Sequence, residues 1–178
     1  MSVPRRFTPQ QDGRLLGRFE PIEADLLRLA TTQLLEMLHS GTTDPQLAAS
    51  DGVFGRLLPD AYRDDDEAAA EFRRFTATGL LERKALNAQI VLDSLGASEP
   101  DTATPDSGDR QPVVVSIDPD AVQAWLRSLT DLRLTLADRL QISPDGVVHL
   151  ATEDTPFLRE LYEWLGMLQE ELVYAIDV

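Results

Sequence analysis

Residues Arg56–Gly96, RLLPDAYRDDDEAAAEFRRFTATGLLERKALNAQIVLDSLG, decide the fold class. The stretch opens on a Pro59-Asp60 turn with Leu57, Leu58 and Tyr62 as apolar anchors, then crosses the run Asp64-Asp65-Asp66-Glu67. Four carboxylates in a row suit a magnesium ion, but they also stand where a helix should begin. Capping and dipole matching are the commoner role there. Beyond them, Phe72, Phe75, Gly79, Leu86 and Ile90 trace one helical face, which Arg83 shares, and Leu81, Ala85, Ala88, Leu92 and Leu95 trace another. A helix apolar on two sides predicts a central element covered by neighbours. Thr76 to Gly79 is its weakest helix-forming segment, so a kink or short break is expected there.

The flanking sequence repeats the helical theme. Before it, Ile22, Leu26, Leu29, Ala30, Leu34, Met37 and Leu38 recur at spacings of three and four, behind Pro21 and the acidic Glu20, Glu23 and Asp25. That pattern predicts a helix over 21–39, ended by Ser40-Gly41, then a loop with one short helical turn up to about Gly55. After it, Val122, Trp125, Leu129, Leu132 and Leu136 follow an Asp118-Pro119 start, which makes the clearest helix in the chain. A last helix runs from about Thr155 to Ile176, with Phe157, Leu161, Trp164, Leu165, Leu168 and Leu172 on its inner side. Short strands are expected at Leu15–Phe19, in a hairpin turning at Gln11-Asp12-Gly13, at Val113–Ile117, and at Val147–Leu150 as a partner for Val113–Ile117. The expected architecture is mainly α, a four-helix bundle-like domain over 1–178 with a few short β-strands. It carries a basic segment at 1–19 and a mobile acidic linker at 97–112.

Composition narrows function. The formal charge of −15 repels phosphate backbones and anionic membranes, so neither nucleic acid nor membrane is favoured as a direct ligand. Arg5, Arg6, Arg14 and Arg18 form a basic island at the start, open to reading as a nucleic-acid arm or as charges on strand edges. There is no cysteine, so disulfides, thiolate nucleophiles and zinc ribbons within this chain are excluded. The start lacks an apolar core of signal-peptide length and no run approaches a membrane span, so a cytoplasmic location is expected.

Catalytic motifs are sparse, and neither an enzymatic activity nor a cofactor is expected. His39 and His149 lack partners at metal-ligand spacing. Glu20/Glu23 and Glu160/Glu163 each form an ExxE half-motif of the kind helical pyrophosphohydrolases use for magnesium, but no ExxD follows on a suitable helix. That half-motif and the acidic run are the basis of the alternative reading as a metal-dependent nucleotide hydrolase. Leu136–Ser143, LADRLQIS, resembles the LAxRLxIS segment of helix-turn-helix repressors, the basis of a direct DNA-binding alternative. The next stretch, PDGVVHLATEDTP, has no Arg or Lys. Arginines beside apolar positions are the better clue. Arg73, Arg74, Arg83 and Arg133, with Asp65, Glu71 and Asp131 as carboxylate partners and Tyr62 nearby, outline either an internal polar network or a groove for an acidic partner group.

In combination, RLLPDAY-x-DD at Arg56–Asp65, EFRR at Glu71–Arg74, WL-x-x-L-x-D-x-R-L at Trp125–Leu134 and WL-x-x-L-x-E-x-L at Trp164–Leu172 resemble the AosR-like actinobacterial proteins. That family was long filed as a domain of unknown function and is described as oxidative-stress transcriptional regulators. The resemblance spans nearly the whole chain. It implies regulation by protein contact, with a sigma factor or the transcription machinery as partner. Family members are often encoded beside a Clp-protease adaptor, which implies a link to proteolysis. It implies no catalytic residues, and the thiol sensing proposed for such regulators has no counterpart here. Homodimerisation through an exposed remainder of one helix is left open.

Overall fold

Three alternating residues of one short strand, Leu15, Gly17 and Phe19, start the fold, because all of them are buried. This strand, β2 (Leu15–Phe19), is central in an antiparallel sheet between β1 (Phe7–Pro9) and β3 (Val113–Ile117). Gly17 sits opposite both Phe7 and Val115. A side chain there would meet the Phe7 and Phe19 rings at 3.0 Å. The β1–β2 turn closes through Gly13 at φ +85°, a conformation glycine adopts without strain. The computed structural model describes residues 5–58, 64–96 and 111–177. The acidic segment 97–112 lies outside them except for its last two residues.

Helices cover one face of the sheet. α1 (Pro21–Thr43) starts at Glu20, whose backbone N–H donates to the Glu23 carboxylate at 2.9 Å. It continues past Ser40-Gly41, the expected stop. Gly41 is instead a packing position, since a Cβ there would lie 2.5 Å from the Phe54 ring. Gly41→Val is therefore expected to cost about 1–3 kcal/mol by overpacking, read as a lowered melting temperature with unchanged helix content. Two short helices follow where one turn was expected, α2 (Pro45–Ser50) and α3 (Gly52–Leu57), with N-termini capped by Asp44 and Asp51.

α4 (Asp66–Gly96) is continuous through Thr76–Gly79, against the expected kink. Propensity differences there are on the order of 1 kcal/mol per residue. Burial of Leu81, Ala85, Ala88, Val91 and Leu95 against α1 and α5 (Pro119–Arg139) outweighs them. Thr76 also returns its hydroxyl to the Phe72 carbonyl at 2.7 Å rather than opening the helix. α6 (Thr155–Ile176) then packs on α5 and β1. The fold is mainly α with a minor antiparallel sheet, as the sequence predicts.

The expected strand at Val147–Leu150 does not pair with β3. Only Val148 bridges, to Ile142, folding the chain back on the end of α5. β2 takes the place beside β3 because its alternation matches: Val115 and Ile117 are buried opposite Gly17 and Leu15. Trp125 of α5 is fully buried and stacks on Phe19, with ring centroids 6.2 Å apart, so one aromatic contact joins the helices to the sheet. Among the described residues no helix is long and apolar enough to cross a membrane.

Candidate partner-binding groove

α1 is apolar over more of its circumference than the core can cover. Ala24, Leu27, Leu34 and Leu38 point inward, so Leu29 of the expected stripe remains 57% exposed and Ile22 65%. Leu26, Leu29 and Met37 on this outer flank form one wall of a groove of ≈ 330 Å³. Leu132 and Leu136 of α5 make its floor, and Phe157, Leu158 and Leu161 from the first turns of α6 make the other wall. Phe157, expected on the inner side, is half-exposed here instead. The volume and apolar lining fall in the range of binding clefts.

Arg139 lines the groove from the last turn of α5, where a cation matches the helix dipole. It is exposed and has no hydrogen-bond or ion-pair partner among the described residues. The groove thus combines an apolar trough with one unmatched guanidinium, on a chain of net charge −15.

Of the arginines singled out from the sequence, Arg83 and Arg133 do not share a site. Arg83 is exposed rather than covered, and its Nε points to the Gly79 carbonyl at 3.4 Å. Arg133 lies half-buried with its guanidinium 4.8 Å from the Tyr162 ring centroid, donating to Gln169 Oε1 at 3.3 Å and the Tyr162 hydroxyl at 3.4 Å. It lies against Gly166, where a Cβ would be in ordinary contact at 3.5 Å. Asp131 is not its partner, because residues two apart on a helix face different ways. Asp131 instead accepts from Lys84 Nζ at 2.7 Å. Asp65 caps α4, accepting from the Ala68 backbone N–H at 3.0 Å. Tyr62 and the side chains of Arg73 and Arg74 lie outside the described residues.

Of the basic island only Arg6 is turned into the fold, while Arg5, Arg14 and Arg18 are exposed. Arg6 makes a bidentate pair with Glu23 at 2.7 and 3.0 Å and reaches Glu171 at 3.0 Å, tying β1 to α1 and α6. Burial raises the Glu23 pKa, but the hydrogen bonds from Arg6 and from the Glu20 N–H outweigh it, so the carboxyl is held below its ordinary value. Glu23 of the half-motif ExxE is thereby a structural anchor. Arg14 pairs with Asp118 at 3.2 Å. The repressor-like segment also ends differently: α5 stops at Arg139, Gln141 turns at φ +52°, and no helix follows before Thr155. Among the described residues no group of three or more His, Asp or Glu is placed to hold a metal ion.

The model of one family, Domain of unknown function (DUF2017), matches residues 4–176. The chain belongs to this family. Its relatives include the "Oxidative stress regulator AosR" of Mycobacterium tuberculosis strain H37Rv and that of Mycobacterium bovis. Each is 33% identical over 207 aligned positions that cover 98% of this chain and 89% of the relative. A Mycobacterium leprae relative is 30% identical over 71% of this chain and 58% of its own length. No solved structure matches.

Two features of this DUF2017 chain were beyond sequence reasoning. The Lys84–Asp131 pair joins residues 47 apart on different helices, and only the chain's single lysine gave a signal. The groove arises because the outer flank of α1 and the start of α6 remain uncovered, and a helical period alone does not say which flank that is.

Proposed function

We propose that this chain is a non-enzymatic regulator that acts by holding another protein in the groove between α1, α5 and α6. The observation that supports this is the groove itself, with exposed Leu29 and Phe157 and the unmatched Arg139. An amphipathic helix seats apolar residues at i, i+3, i+4 and i+7 in such a trough, and one carboxylate on it would pair with Arg139. Relatives named as oxidative-stress regulators direct the reading to stress-responsive transcription, with a sigma factor or another part of the transcription machinery as the partner. Thiol switching within this chain plays no part, since it holds no cysteine. Direct DNA reading is disfavoured by the net charge and by the engagement of Arg6 and Arg14 in ion pairs.

The test is affinity capture from native cells with the unaltered chain and with a Leu29→Glu/Phe157→Ser variant. Both positions are exposed, so the variant should melt within about 0.5 kcal/mol of the original. The expected result is a transcription component captured by the original chain and depleted at least about tenfold by the variant. Equal capture by both would remove the groove from the account. Capture of a Clp adaptor in its place would move the function to proteolysis.

A further inference from the structure

α4 has a second apolar face that stays exposed among the described residues. Leu81, Ala85, Ala88, Val91 and Leu95 are buried, and on the opposite side Phe75 is 76% exposed, Leu86 64% and Ile90 37%. At about 100° per residue these three share one face with Gly79, Glu82 and Arg83. Gly79 has nothing within 4 Å of where a Cβ would stand. Glu82 is exposed and has no partner among the described residues, and Arg83 reaches only the carbonyl of Gly79 in its own helix. Among the described residues the main packing partners of α4 are α1, α5 and β3, which meet its inner face and flanks.

We propose that this face binds the same face of a second copy of the chain, with the two α4 helices antiparallel about a two-fold axis between residues 82 and 83. The order of residues carries the inference. That axis sets Glu82 against Arg83 of the second copy, Gly79 against its Leu86, and Phe75 against its Ile90. Each of these three central pairings is complementary: opposite charges, a gap against a large side chain, and two apolar groups; the next pair outward, Phe72 against Asp93, is not and bounds the seam. By symmetry each occurs twice, as an isologous interface requires. A parallel pairing in register would set Glu82 against Glu82 and leave Leu86 against Leu86 with Gly79 facing Gly79, which loses both the charge match and the fit. The axis leaves the α1–α5–α6 groove free, so dimerisation and partner capture are separable.

The seam from Phe75 to Ile90 is about 22 Å long, which predicts a weak dimer with a Kd on the order of tens of micromolar. Sedimentation equilibrium of the full chain reads it directly. The average mass should climb from the 19.7 kDa monomer toward twice that value as concentration passes through this range. Leu86→Glu and Arg83→Glu should each raise Kd at least about tenfold with unchanged melting, because both positions are exposed. The swapped variant Glu82→Arg/Arg83→Glu restores opposite charges across the axis and should recover most of the affinity lost in Arg83→Glu. A monomer at every concentration up to about 300 µM, an unchanged Kd in Arg83→Glu, or no recovery in the swapped variant would each overturn the proposal.

Discussion

Lys84→Met should lower the unfolding free energy by about 3–5 kcal/mol, the usual result of removing one partner from a buried pair. Asp131 has a side chain 3% exposed, and Lys84 is the cation that meets it, at 2.7 Å. The other carboxylate oxygen, Oδ2, is buried without a hydrogen-bond partner, so little remains to offset the charge once the ammonium is gone. Burial already pushes the Asp131 carboxyl above its ordinary range, and the hydrogen bond and charge of Lys84 only partly counter it. Methionine fills a similar volume, so the loss reports the charge rather than a cavity.

The pH dependence gives this prediction a second reading. A carboxyl whose pKa is raised on folding binds its proton more tightly in the native state, so stability falls as pH rises from the unfolded pKa through the folded one. Lys84→Met raises the folded pKa further and widens that window. The deficit of the variant should therefore shrink on acidification from pH 7 toward about pH 4, near the unfolded value. Glu23 works in the opposite sense: its lowered pKa contributes stability above the unfolded value that is lost as pH falls through the folded one. It is common to both proteins and cancels in their difference. Chemical denaturation across this pH range measures the difference, and a deficit independent of pH would contradict the assignment. Lys84→Met/Asp131→Leu should recover most of the loss.

Trp125→Ala is expected to cost about 3–5 kcal/mol as well, for a different reason. The ring is fully buried and stacks on Phe19, which meets Phe7 edge-on at 6.0 Å. Its Nε1–H donates to Ser94 Oγ at 3.2 Å. One side chain therefore touches α4 and the sheet from α5, and truncation leaves a cavity where three elements meet. Trp125→Phe keeps the stacking and gives up the hydrogen bond. Ser94 still donates to the Ile90 carbonyl, so the smaller loss should be about 1–2 kcal/mol. Denaturant melts of the two variants beside the original protein decide it. Equal losses would mean that the hydrogen bond, not the ring, dominates.

Where a helix carries one dominant apolar stripe, the sequence was sufficient. Val122, Trp125, Leu129, Leu132 and Leu136 were legible as the inner line of α5, and all are buried. α1 and α4 were harder because each is apolar on two flanks. Periodicity locates a helix but does not choose between flanks, so Leu29, Leu86 and Phe75 looked like core and are exposed. Those surplus flanks are the groove wall and the proposed dimer seam, so the same ambiguity that misled the core assignment marks the surfaces left for recognition. Strand existence was legible from Val113–Ile117, but its partner was not, since pairing depends on contacts distant in sequence. The partner of Arg133 was misassigned for a simpler reason. Nearness in sequence suggested Asp131 for Arg133, while helix geometry gives Asp131 to Lys84 and leaves Arg133 with an amide and a phenol.

Site-specific photo-cross-linking from position 157 inside living cells reads what occupies the groove, because Phe157 lines it and is half-exposed. One dominant cross-linked species is expected, made with a component of the transcription machinery and lost on Leu29→Glu. Cross-links to a small molecule alone, or a protein cross-link that Leu29→Glu leaves intact, would contradict it.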